Sequence, residues 1–341
     1  MEASPVTPRR RRPFLKLILS FVALLVLLNL AVMWWWDTEP APFDPVAGTT
    51  VRMNELKHPV STGAVTTFTL IRSVETLLDK RGGYLSNDRL PPGVFLDNMP
   101  NWEFGSLTAS RDLVRAMRND FSRSQTQSTE DKDLAEADPL LSSPNDRWLL
   151  PSSESQYRKA IDRLDDYLGR LSDAEGGSAH FYARADNLAD YLQTVSARLG
   201  SLSQRLSASV GQVPLAAAPN AADLDSSAPA AVLAPGGGLI KTPWTKIDDN
   251  FYEARGYTWA LLEQLRAIQH DFAPILRSKN ADVGLQQVIR ELEESQKPLG
   301  SPVVLNGSPF GFFANHSLVM ANYVSRANAA IIDLRELLRR G

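Results

Sequence analysis

The stretch from Phe14 to Trp36 constrains this chain more than any other. It reads Phe-Leu-Lys-Leu-Ile-Leu-Ser-Phe-Val-Ala-Leu-Leu-Val-Leu-Leu-Asn-Leu-Ala-Val-Met-Trp-Trp-Trp. An apolar run of that length crosses a bilayer as one helix, which takes roughly 20 residues. Its flanks set the orientation. Arg9, Arg10, Arg11, Arg12 and Lys16 stand on the N-terminal side, and Asp37, Glu39 and Asp44 follow on the other. Positive charge stays in the cytoplasm, so residues 1–13 read as a cytoplasmic basic tail and the rest of the chain faces outward. A cleaved signal needs a shorter apolar region with small residues after it. Here the run ends in Trp34, Trp35 and Trp36, residues suited to the boundary between lipid and water. An uncleaved signal-anchor over 14–36 is the expectation. Asn29, the one polar residue deep in the run, either bonds a second copy or satisfies itself on its own backbone.

The segment Arg11-Arg12-Pro13-Phe14-Leu15-Lys16 resembles the twin-arginine export signal. Arg10 stands where Ser or Thr is usual, and the apolar run is longer than such signals carry, so an Arg-rich start is the simpler account. Net charge is −3, and the first 36 residues hold five positive charges and one negative, leaving the remainder at −7. That balance offers no clustered basic face for nucleic acid. The chain has no cysteine, which excludes disulfides and thiolate chemistry.

Beyond the anchor, Pro40, Pro42, Pro45 and Pro59 predict an extended stalk over 37–60, and residues 61–341 an all-α periplasmic domain. Val65, Phe68, Val74 and Leu77 mark a first amphipathic helix, ended by Gly82-Gly83. Leu90 to Gly105, with Phe95 and Trp102 among prolines, reads as an aromatic loop, and Leu107, Val114, Met117 and Phe121 as the helix after it. The Ser, Asp and Glu of 122–152 read as a mobile insertion. A capping box at Ser153 and Gln156 opens a helix with Tyr157, Ile161, Leu164, Leu168 and Leu171 at steps of four and three. Phe181, Ala185, Leu188, Leu192, Val195, Leu199, Leu202 and Leu206 continue that step, which predicts a long antiparallel hairpin of coiled-coil type. Residues 211–242 are low-complexity and read as a second flexible insertion. Ile247 to Ile275 forms another long seam, followed by a shorter helix over 283–292. A hydrophobic loop with Asn306-Gly307, Phe310, Phe312 and Phe313 leads into the last helix, from Met320 to Leu338. Asn315, Asn322, Ser325 and Asn328 flank its apolar stripe as register-fixing polar groups.

Four histidines, His58, His180, His270 and His316, include no His-x-x-x-His pair, and no Gly-x-Ser-x-Gly elbow occurs. The nearest approach to a catalytic set is His270-Asp271 with His316, should the long helix pack on the last one; a structural histidine is the simpler reading. No catalytic residue, cofactor site or metal site is expected.

Gly256-Tyr257-Thr258-Trp259-Ala260-Leu261-Leu262 and Phe312-Phe313-Ala314-Asn315-His316-Ser317, with the anchor and the total length, resemble an uncharacterised family of proteobacterial envelope proteins, one of the domain-of-unknown-function families. That resemblance implies a bacterial single-pass inner-membrane protein and assigns no functional residue. The expected function is association: an envelope scaffold or adaptor that meets a protein partner, or itself, along a helix face or through the loops holding Phe95, Trp102, Phe310, Phe312 and Phe313, with the bilayer as its other partner. A ligand-sensing module working with a membrane partner is the alternative, and an exported enzyme the third reading.

Overall fold

The structure is a computed structural model that describes residues 12–124, 129–173, 178–211, 241–309 and 311–340. Among these residues it is all-α, with eleven helices and no strand. Helix α1 (Arg12–Trp36) is long and apolar enough to cross a membrane, and no other element packs along it. The other helices are α2 (Pro45–Leu56), α3 (Ala64–Asp79), α4 (Asn98–Ala116), α5 (Lys132–Leu141), α6 (Ser153–Leu171), α7 (Ala185–Ser207), α8 (Ile247–Asp271), α9 (Ala273–Ser278), α10 (Asp282–Ser295) and α11 (His316–Arg339).

The hub is α8. A helix buried on every side must be enclosed by its neighbours, and α8 buries Phe251, Ala254, Tyr257, Thr258, Trp259, Leu261, Leu262, Leu265 and Ile268, together with Arg255, Glu263 and Gln264. Those residues cover more than the narrow stripe that a step of four and three suggests, so α3, α4, α7, α10, α11 and α2 all pack around it. Its closest neighbour is α4, which runs alongside in the same direction. A Cβ on Gly105 would stand 2.0 Å from the Glu253 carbonyl oxygen, and one on Gly256 would stand 1.9 Å from that of Trp102. The two glycines therefore let the backbones meet directly, and Trp102 and Trp259 pack beside them with ring centroids 5.0 Å apart.

Four sequence expectations are corrected here. The expected hairpin of α6 on α7 is replaced by other pairings: α6 packs on α5 and α3, and α7 packs antiparallel on α11. Identical apolar steps do not choose partners, but polar pairs do. Ser196 donates to Asn328 (2.8 Å) and the hydroxyls of Ser203 and Ser325 meet at 2.6 Å across the α7–α11 seam, where Asn328 and Ser325 serve as anticipated. Asn322 is exposed, and Asn315 caps α11 through Leu318 N. The expected mobile insertion at 122–152 contains α5, with Leu134, Ala137 and Leu141 in the core. Its acidic residues are structural: Asp131 caps α5 and, with Asp133, takes Arg170 of α6. The expected stalk at 37–60 holds α2, started by Pro45 at its first position and capped by Asp44, which accepts from Val46 N and Ala47 N. Proline suits the first turn of a helix as well as an extended chain, and Thr49 and Met53 are buried. Residues 212–240 of the expected second insertion lie outside the described residues. The cap of α6 is Ser152, one residue before the expected Ser153.

Candidate functional site at the junction of α1 and the body

The last turn of α1 is built into the body. Gly82 adopts φ +81, and a Cβ there would stand 2.8 Å from the Trp36 ring. Glycine takes that conformation without penalty and leaves room for the indole, which packs on the core. Arg81 lies over the Trp35 ring at 5.9 Å, and Asn98 donates to Asp37 at 3.0 Å. Trp34 and Trp35 stay exposed, as does Lys16 at the other end of the apolar run. Arg12 begins the helix, and Arg9, Arg10 and Arg11 lie outside the described residues.

Arg255 of α8 is the pivot of the junction. Only 4% exposed, its guanidinium takes the Glu39 carboxylate with both a 2.7 Å bond from Nε and a second from Nη2. Its Nη1 donates at 3.0 Å to the carbonyls of Ser295 and Lys297. One fork thus holds the segment after α1 and satisfies the open carbonyls at the end of α10, where a cation also meets the negative end of the helix dipole. Two open cavities flank this fork. One, of about 560 Å³, lies between Trp34, Glu39 to Pro42, Tyr252 and the loop from Gln296 to Pro302. The other, of about 220 Å³, is lined by Phe251, Lys297, His316 and Tyr323.

About two turns further along α8, Glu263 faces the start of α2. Its carboxyl accepts from Phe43 N–H and from Arg266 at 3.1 Å, and burial outweighs Arg266 to raise its pKa to about 7. The ring of Phe43 meets Trp259 edge-on at 5.9 Å. Residues 39 to 44 are thus fastened to α8 by two charged groups and an aromatic contact.

The histidine set is not assembled. His316 lies beside Phe251, with ring centroids 6.4 Å apart, whereas His270-Asp271 is 19 residues along α8, about 28 Å at 1.5 Å per residue. His316 Nδ1 accepts Leu305 N at 3.0 Å, which needs a neutral ring, and burial lowers its pKa in the same sense. Asp271 accepts from both the backbone and the hydroxyl of Thr66 at 2.8 Å, closing the N-terminus of α3. Two pairs of adjacent acids, Asp165-Asp166 and Asp248-Asp249, form no joint site: Asp165 takes Arg52, Asp166 takes Arg163, and Asp249 takes Lys246 and Asn101.

Of the expected partner-loop residues, Trp102 is corrected. It is fully buried in α4, because Asp97 caps a helix whose first turn accommodates Pro100. Phe95, Phe312 and Phe313 are exposed, and Phe310 lies outside the described residues. The sequence marks Glu39 only as a flanking charge and gives Arg255 and Glu263 no role. The available signal is that Arg255 and Glu263 bracket the run Gly256 to Leu262, which has no charged residue.

No curated protein and no solved structure matches the chain. The sequence model of one family matches residues 10–341, from the basic tail through every helix described above, and the chain belongs to that family, described as an uncharacterized protein conserved in bacteria (DUF2333).

Proposed function

We propose that this protein is a membrane-anchored helical bundle of the bacterial cell envelope that works by association, as a scaffold or adaptor, and not by catalysis. In this reading α1 remains in the inner membrane with the basic tail in the cytoplasm and the bundle in the periplasm. The observation that carries it is the packing of Trp36, the last residue of the anchor, on the core of the body. An anchor whose end belongs to the core is part of the working molecule, and removing it as a signal would strip a packed side chain from the fold.

The test is fractionation of cells producing the chain with tags at both ends, followed by crosslinking in the membrane and mass spectrometry. One species carrying both tags in the membrane fraction, crosslinked to a protein partner or to a second copy, is the expected result. A soluble periplasmic chain that begins beyond Trp36 would defeat the proposal. The cavity of about 560 Å³ beside Arg255 favours the ligand-sensing alternative, since small-molecule sites are commonly about 300–1,000 Å³. A metabolite that raises the melting temperature of the full chain, with no protein captured, would select that alternative.

A further inference from the structure

Outside α1, every exposed Phe and Trp among the described residues is on the end of the body from which α1 leaves. They are Phe95, Trp148, Trp244, Phe312 and Phe313, and Leu150 joins them at 94% exposure. Their positions follow from contacts already fixed. The loop holding Phe95 runs into Asn98, which bonds Asp37 at the anchor. Residues 146 and 147 accept from Arg89 and Asn87 of that same loop, which brings Trp148 and Leu150 alongside. Trp244 begins the 3-10 turn Trp244–Lys246 that leads into α8, and Lys246 and Asp249 share a cleft with Val94 and Asp97. Phe312 and Phe313 sit at the start of α11, next to the His316 that faces Phe251.

Rings of this kind in water cost free energy unless something covers them, and a cluster of them marks a contact surface. The charges interleaved with them have both signs, Arg89 and Lys246 against Asp88 and Asp249, so the face has no single-sign field to recruit a highly charged partner. Trp36 is locked on Gly82 and only eight residues separate it from α2, so the body has no slack to swing away from its anchor. Whatever bilayer holds α1 is therefore the nearest apolar medium to this face.

From this geometry we propose that the end of the body around the anchor rests on the lipid surface itself. Phe95, Trp148, Leu150, Trp244, Phe312 and Phe313 enter the interfacial layer of the bilayer that α1 spans. The inference rests on the reading of α1 as a retained anchor. Such a face is the loop counterpart of an interfacial amphipathic helix, whose apolar side reaches about 5–10 Å into the headgroup boundary. The tether makes a small contact sufficient, because binding becomes an intramolecular step at an effective concentration on the order of mM. With mixed charge, the contact depends on the rings and not on anionic lipid.

Because the chain has no cysteine, single labels can be placed cleanly. The full chain would be reconstituted in phosphatidylcholine nanodiscs, with and without phosphatidylglycerol, carrying a spin label at Leu150→Cys, Trp244→Cys or Phe312→Cys. Leu25→Cys reports the anchor, and Ser278→Cys, exposed after α8 at the far end, reports water. These sites are exposed, and unchanged circular dichroism would verify folding. The expected result is that the three loop labels collide with lipid-dissolved oxygen in preference to a water-soluble nickel chelate severalfold more than the Ser278 label does, equally in both lipids. Loop labels as wet as Ser278 while the Leu25 label lies in lipid would overturn the inference and leave the anchor reading intact. A Leu25 label in water would overturn both. Loop labels shielded from both reagents and broadened by a neighbouring label would overturn it in favour of contact between copies.

Discussion

At the scale of single residues, the junction depends on two charged side chains of α8 whose roles differ in kind. Arg255 is a permanent cation buried between a carboxylate and the carbonyl groups ending α10, and breaking a buried pair by deleting one partner costs about 3–5 kcal/mol. Arg255→Ala is expected to lower stability by about that amount in a melt of the detergent-solubilised chain. Arg255→Lys should recover only part of it, since an ammonium cannot reproduce the planar fork. Equal melting of all three proteins would show that the fork contributes nothing. Glu263 acts through its proton. Its carboxyl titrates at about 7 in the folded protein and at 4.5 when free, so between those values the folded state holds the proton more tightly. Its contribution is therefore complete below pH 4.5 and declines as pH rises through 7, by up to about 3 kcal/mol. Glu263→Gln, which mimics the protonated form, should stabilise the protein at pH 8 relative to the unmodified chain and leave it unaltered near pH 4.5. A stability difference that does not vary with pH would refute this role. Neither residue stood out in the sequence, where a charge inside a helical pattern is usually a solvated one.

At the scale of elements, the apolar periodicity located the helices well but not their partners. Steps of four and three recur in the segments that became α6, α7, α8 and α11, and they say which side of a helix is covered, not by what. The choice is made by features that the pattern does not contain. Serine and asparagine pairs fix α7 on α11, Arg170 fixes α6 on α5, and Gly105 and Gly256 allow α4 to reach α8. Composition misled for α2 and α5, since prolines and acids that look like loop are also what begins and caps a helix. The glycines give the sharpest test of packing. Gly256→Ala drives a methyl into the Trp102 backbone and should destabilise at or beyond the upper end of the about 1–3 kcal/mol usual for overpacking. Gly169→Ala, on α6 with nothing within 4 Å, should instead stabilise by about 0.5–1 kcal/mol. The pair of substitutions is chemically identical, so opposite signs in thermal melts can come only from the surroundings. A Gly256→Ala chain that melts no lower than the unmodified one would mean that α4 and α8 are not in backbone contact.

At the scale of the whole molecule, the decisive difference from the sequence expectation is the loss of the stalk. A proline-rich spacer would let the bundle move freely above the bilayer, whereas residues 37–56 are a working part of the core. Glu39 holds Arg255, Phe43 meets Trp259, and Thr49 and Met53 are buried. Helix α1 and the bundle are consequently one mechanical unit, and the exposed rings around its exit are held in one orientation relative to α1. Two shortened chains separate the possibilities. A chain beginning at Asp37 loses only α1 and the Trp36 contact, and should remain folded with a modest fall in melting temperature. A chain beginning at Ser61 also loses Phe43 and Met53, and burying large side chains of this type is worth about 2–5 kcal/mol each. At about 2 °C per kcal/mol for a large domain, the second chain should melt about 10 °C or more below the first. If residues 37–60 were a spacer, the two would melt together, and the rigid coupling of anchor to body would have to be abandoned along with the fixed orientation of its aromatic face.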